Sequence, residues 1–150
     1  MLDRFEKFSF CISEINRSLH KIAGEEMEEY GLKGPYAVYF TTMYRFKEGI
    51  TATKLCELCS KDKSDVSRAI NLFIDKGIVT REANNENSYR ALLKLTDSGI
   101  KLAKQITEKA NKAVQFVGKD LGVSNRKIFY DCLESITTNL NKLSEEGIGA

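Results

Sequence analysis

Apolar side chains recur at alternating steps of three and four residues near both ends of this chain. From the N-terminus, Phe5, Phe8, Ile12, Ile15, Leu19 and Ile22 follow at steps of 3, 4, 3, 4 and 3. Toward the other end, Phe129, Leu133, Ile136, Leu140 and Leu143 step by 4, 3, 4 and 3. Ahead of them Ala103, Ile106, Ala110, Ala113 and Val117 step by 3, 4, 3 and 4. A strand, with its period of two, scatters such residues over both faces; a helix gathers them on one. The spacing predicts long helices over residues 3–30, from a Thr96 cap onward, and from a Ser124 cap onward. Their seams are of the kind that helices bury against one another in coiled coils. Three seams in one short chain, two of them terminal, favour association between copies over a bundle closed within one molecule.

Bulk numbers narrow the class. With 150 residues, 42% hydrophobic and 29% charged, the chain has the make-up of one folded domain, with room for one subdivision. A formal net charge of +2 excludes a polycation, so any nucleic-acid surface must arise from local placement of charge. No apolar run approaches the ~20 residues of a membrane span. The opening "MLDRFEKFSF" mixes charges with Phe and lacks a signal-peptide core, so a cytoplasmic location and no membrane partner are expected. In a reducing compartment Cys11, Cys56, Cys59 and Cys132 are expected as free thiols.

Between the seams the pattern changes. "GLKGP" breaks the first helix, and Pro35 suits the first turn of a second, over about 35–47. Thr51 is a candidate N-cap for a short helix over 52–59, with Leu55, Cys56 and Cys59 facing inward. The turn "SKD" leads into "KDKSDVSRAINLFIDKGIV", whose cap is Asp62 or Ser64 and whose C-terminal glycine is Gly77. "IVTRE" and "ALLKLT" read as two strands of a hairpin around the polar tip "ANNENSY". The fold class expected is mainly α with a small β-hairpin: a winged helix-turn-helix over 35–96, and a discontinuous helical dimerisation domain from 1–34 and 97–150.

The helix at 61–79 divides its labour. Val66, Ala69, Ile70, Phe73 and Ile74 take one side, and Ser64, Ser67, Arg68 and Asn71 take the other. Long solubilising Lys and Glu are missing from that second stripe. Short donors and acceptors let a helix approach base edges in the major groove, and Arg offers a bidentate donor pair to guanine. Lys63 and Ser64 stand where helix N–H groups meet phosphate. Thr51 and Lys54 fall near the backbone. At the hairpin tip Asn84, Asn85, Asn87, Ser88 and Arg90 suit contacts to phosphate or the minor groove. Taken singly, a polar helix face is a solvated face and an Asn-rich tip is a turn; their order along the chain carries the reading. Asp62, Asp65, Asp75, Glu82 and Glu86 offset much of the local positive charge, and Asp65 is placed to repel phosphate or to orient Arg68 or a lysine.

At these residues the sequence resembles the MarR family of bacterial transcription regulators. The likeness is densest in "ITATKLCELCSKDKSDVSRAINLFIDKGIV" and "LLKLTDSG". Asp62, Lys63, Ser64, Val66, Ser67 and Arg68 match the family pattern, as do Lys76, Gly77, Leu95, Thr96 and Gly99. The resemblance implies an obligate homodimer whose terminal helices interlock, with two winged domains on a pseudo-palindromic duplex. It also implies a small aromatic or phenolic effector and no resident cofactor. One departure is visible. The family's wing carries Asp-x-Arg or Asp-Arg-Arg before "LT"; here Asn87 stands at the Asp, Ser88 or Tyr89 at the Arg, and Arg90 follows one residue later.

Other chemistry finds little support. Cys56 and Cys59 form C-x-x-C, but there is no second such pair and only one histidine, His20; core packing is the plainer reading than zinc or redox sensing. Cys11 is an outside candidate for oxidant sensing by likeness to some family members. No Ser/His/Asp set, phosphate loop or carboxylate pair points to an enzyme. Phe10, Tyr36, Tyr39, Phe40, Tyr44 and Phe46 are core residues first, and second a lining for the effector that the resemblance implies. The function expected is a DNA-binding regulator, a repressor released by an effector. The rivals are a winged-helix protein-interaction module on a dimeric scaffold, and a thiol or ligand sensor that retains DNA binding.

Overall fold

The computed structural model describes residues 2–83 and 90–149. Among the described residues, six α-helices and one antiparallel hairpin follow in order: α1 (Leu2–Glu28), a 3-10 turn (Gly34–Tyr36), α2 (Ala37–Tyr44), α3 (Ala52–Cys59), α4 (Lys63–Asp75), β1 (Val79–Glu82), β2 (Leu92–Leu95), α5 (Asp97–Val117) and α6 (Val123–Glu146). The mainly helical class with a small hairpin matches the expectation. Two boundaries differ. The helix expected over 35–47 is a 3-10 turn holding Pro35, continued by α2, which stops at Tyr44. α6 starts one residue before Ser124, with Gly122 at the cap position and no side-chain cap bond. Arg126 Nη2 instead donates to the Gly118 and Leu121 carbonyls, at 3.1 and 3.4 Å, closing the turn behind that start.

Two compact units emerge, residues 1–111 and 112–150. In the first, the apolar side of α4 supplies the centre. Val66, Ala69, Ile70 and Phe73 are buried, at the i, i+3, i+4, i+7 spacing of a core-facing stripe. Phe73 meets three rings, with centroids 5.5 Å from Tyr36, 5.8 Å from Tyr39 and 4.6 Å from Phe40. Leu55 from α3, Ile78 and Val79 at the strand entry, Leu93 from β2, and Leu102, Ala103 and Ile106 from α5 complete the same cluster. Lys109 ties α5 to the end of α1, pairing with Glu25 and, at 3.3 Å, with Glu26.

The hairpin is registered by Val79 opposite Leu95 and Glu82 opposite Leu92. The far edge of β2 is also used: Leu93 exchanges both backbone bonds with Ile50, at 2.8 and 3.0 Å. The hairpin base is therefore fixed to the segment that leads into α3. Two local devices set the turns around it. Gly77 has φ of +70°, a left-handed conformation that costs glycine nothing. There Ile78 N–H reaches the Phe73 carbonyl at 3.0 Å and Gly77 N–H reaches Ile74 at 2.9 Å, the paired bonds of a Schellman ending. Gly99 permits a close approach, since a Cβ on it would lie 2.1 Å from the Ile78 carbonyl oxygen.

Candidate nucleic-acid interface

The helix-turn-helix rests on three capping arrangements. Thr51 Oγ1 accepts from Lys54 N–H at 3.2 Å and starts α3. α3 ends on Ser60 at φ +50°, where Lys61 N–H bonds to the Cys56 carbonyl at 3.1 Å and Ser60 N–H to Glu57 at 3.3 Å. Those are again Schellman bonds, with a serine where glycine is usual. α4 then starts on Asp62, whose Oδ1 accepts from Asp65 N–H and from Ser64 Oγ, both at 2.8 Å. The Asp65 amide, then the Ser64 hydroxyl, hold the Asp62 carboxyl below its usual range. Of the two cap candidates, Asp62 is the one used.

Buried on one side, α4 turns Lys63, Ser64, Ser67, Arg68 and Asn71 outward; all five are exposed. The helix brings these residues onto one surface. Arg68 Nη2 pairs with Asp65 Oδ1 one turn earlier. Ser64 gives its hydroxyl to Asp62, and that carboxylate occupies the amide a phosphate would seek at the helix start. A phosphate there competes with an intrachain acid. Thr51 and Lys54 lie on α3's first turn, and Lys54 Nζ reaches Glu57 at 3.4 Å. Arg90 is exposed just before β2. Asn84, Asn85, Asn87 and Ser88, with Glu86 and Tyr89, lie outside the described residues.

Two residues escaped the sequence reading. Ser60 sets the angle of the helix-turn-helix, yet no glycine marks the turn. Arg81 is an exposed cation on β1, whereas alternation from the buried Val79 assigns it to the inner face. Its cross-strand partner Leu93 is buried in the core, so the exposure is confined to the β1 side of that pair.

The aromatic residues named for an effector separate. Tyr39 and Phe40 are buried in the core and Tyr36 and Tyr44 are half-buried, while Phe10 stands 66% exposed on α1. Burial first, and then the neighbouring Cys59 and Asp65, push the Tyr39 hydroxyl up to about 12. Cys59 is buried with Sγ 3.5 Å from Thr42 Oγ1, and burial pushes its thiol up. A thiol held protonated is a poor nucleophile and a poor metal ligand. Among the described residues no group of three or more His, Cys, Asp and Glu is placed to hold a metal ion. No described helix is long and apolar enough to cross a membrane.

A profile of the MarR family matches residues 30–87, the stretch from the end of α1 through the helix-turn-helix into the hairpin. Over that stretch the chain is similar to the MarR family. Solved MarR structures extend the likeness to the rest of the fold. A MarR transcriptional regulator from Methanosarcina mazei is 24% identical, covers 92% of this chain and 99% of its own, and superposes with a TM-score of 0.75. A putative MarR family regulator from Listeria monocytogenes, complexed with a 26mer DNA, is 22% identical over 93% of this chain and 94% of its own, with a TM-score of 0.78. MepR from S. aureus, in a DNA complex, is 17% identical over 88% and 97%, also at 0.78. At these identities the likeness establishes the MarR fold. No curated protein matches the sequence.

Proposed function

We propose that the protein is a DNA-binding transcription regulator that acts as a homodimer, each copy laying α4 in the major groove. The observation that carries this reading is the outward stripe of Ser64, Ser67, Arg68 and Asn71 on a helix whose other side is locked into the core. Short polar groups and one forked cation fit a groove that admits a single helix. Proteins of the same fold from S. aureus and Listeria monocytogenes have been solved in complex with DNA, which supports the reading.

Dimerisation has a physical motive in the apolar seams. Phe5, Phe8, Ile12, Ile15 and Leu19 on α1, and Phe129, Ile136, Leu140 and Leu143 on α6, are all exposed in the single chain. Such patches mark interaction surfaces, and a two-fold pair of recognition helices matches half-sites about one DNA turn apart. The regulator acts as a repressor by covering a promoter, and a small aromatic or phenolic effector releases it; Tyr36 and Tyr44, which are half-buried, are its proposed contacts.

The test is fluorescence anisotropy with the region upstream of the protein's own gene, at two salt concentrations. Wild type binds, more weakly at the higher salt. Arg68→Ala loses about 1–3 kcal/mol and discriminates less between sites. Equal binding by the two proteins removes Arg68 from the interface. No binding by either, with a partner protein captured instead, favours the interaction module, for which the near-neutral net charge of +2 is the supporting observation.

A further inference from the structure

Asp65 stands one turn before Arg68 on the exposed side of α4. Its Oδ1 holds Arg68 Nη2, with the side chains 47% and 74% exposed. An ion pair this open adds little to folding. Nor does Asp65 cap the helix; Asp62 does that, taking the Asp65 amide. Among the described residues the carboxylate makes one ion pair, and it is with the cation that faces the proposed groove.

Near a duplex, a loose arginine finds phosphate first, because phosphates are dense, charged and the same in every sequence. A carboxylate one turn away changes that choice. It engages one donor of the guanidinium's five and leaves the others to a base edge. It also repels any phosphate that would compete for the same guanidinium. We propose that Asp65 is a positioning residue that directs Arg68 to a base, so that the Asp65–Arg68 pair sets sequence specificity. The proposal rests on the DNA-binding reading above.

The experiment begins with wild-type protein and a random duplex pool, from which a preferred site is selected. Dissociation constants are then measured over a salt series, on that site and on a scrambled duplex, for wild type, Asp65→Asn, Asp65→Glu, Arg68→Ala and the Asp65→Asn/Arg68→Ala double variant. Thermal melts confirm that each variant folds. Asp65→Asn is expected to bind scrambled DNA about tenfold more tightly and to show a salt slope steeper by about one, since Arg68 gains a phosphate. Its ratio of specific to nonspecific affinity falls by the same factor or more. Asp65→Glu, which keeps a carboxylate in reach, restores most of the ratio. In the Arg68→Ala background, Asp65→Asn changes the ratio little. An unchanged ratio in Asp65→Asn overturns the proposal. So does an equal gain on scrambled DNA with and without Arg68, which would mark Asp65 as bulk negative charge. A wild type that selects no duplex from the pool overturns the regulator reading, and this inference with it.

Discussion

Ser60 occupies a left-handed turn without being glycine, and that costs about 1–2 kcal/mol relative to an ordinary helical residue. Glycine relieves the strain but adds freedom to the unfolded chain. Ser60→Gly is therefore expected to stabilise the protein by about 0.5 kcal/mol, read as a raised midpoint in urea. A lowered midpoint would show that the serine makes a compensating contact. Two positions further on, Asp62 shows the opposite economy. Its folded-state carboxyl is held below the usual range by the Asp65 amide and the Ser64 hydroxyl. Stability from the cap is present above the ordinary carboxylate range and lost as pH falls through the lowered value. An NMR titration is expected to show the Asp62 carboxyl titrating below the usual aspartate range, with the Asp65 amide shift following the same curve. The stripe Ser64, Ser67, Arg68 and Asn71 was legible in the sequence because a helix of period 3.6 needs no tertiary knowledge to be drawn. The Asp65–Arg68 contact was legible only as a choice between partners, since spacing allows several rotamers and the fold selects one.

Among the elements, the hairpin base and the start of α5 show how Leu95, Thr96 and Gly99 work as a unit. Thr96 Oγ1 donates to the Gly77 carbonyl at 2.8 Å and accepts from Gly99 N–H at 3.2 Å. One hydroxyl thereby joins the end of α4 to the beginning of α5. Gly99 lets α5 sit against the Ile78 carbonyl. A methyl there must move backbone, so Gly99→Ala is expected to cost about 2–3 kcal/mol, the upper part of the ~1–3 kcal/mol typical of overpacking a filled core. Thermal unfolding measures it; a loss below about 1 kcal/mol would mean that α5 shifts without strain. The cap at Thr96 follows from residue type and place. The role of Gly99 does not, because a close approach between segments 21 positions apart leaves no local signature. For the same reason α2 ended early: helix propensity continues through 45–47, but β2 requires Ile50 alongside it, and the chain turns at Tyr44 to deliver it.

At the scale of the whole molecule, the exposed seams are where the proposed dimer is tested. Ile12 is 43% and Leu140 51% exposed in the single chain, both within heptad-like rows. Light scattering on the wild type is expected to give twice the chain mass of 16.9 kDa. Ile12→Glu and Leu140→Glu are each expected to shift it toward a single chain while far-UV circular dichroism stays helical, because neither side chain is buried in the core of its own chain. A wild type at the single-chain mass would refute the dimer.

What the amino-acid order settled by itself is mostly what has a short period. Helix faces, the N-caps at Thr51 and Thr96, the Gly77 ending and the two strands follow from side chains within a turn or two of each other, and the cap of α4 was narrowed to Asp62 or Ser64. What only the tertiary structure decided lies in contacts between distant segments: Ile50 along β2, Gly99 against Ile78, and the three rings around Phe73. It also decided that Ser60 would bear a left-handed turn. Local physics ranks conformations a residue can adopt; packing against the rest of the chain determines which strained one is kept.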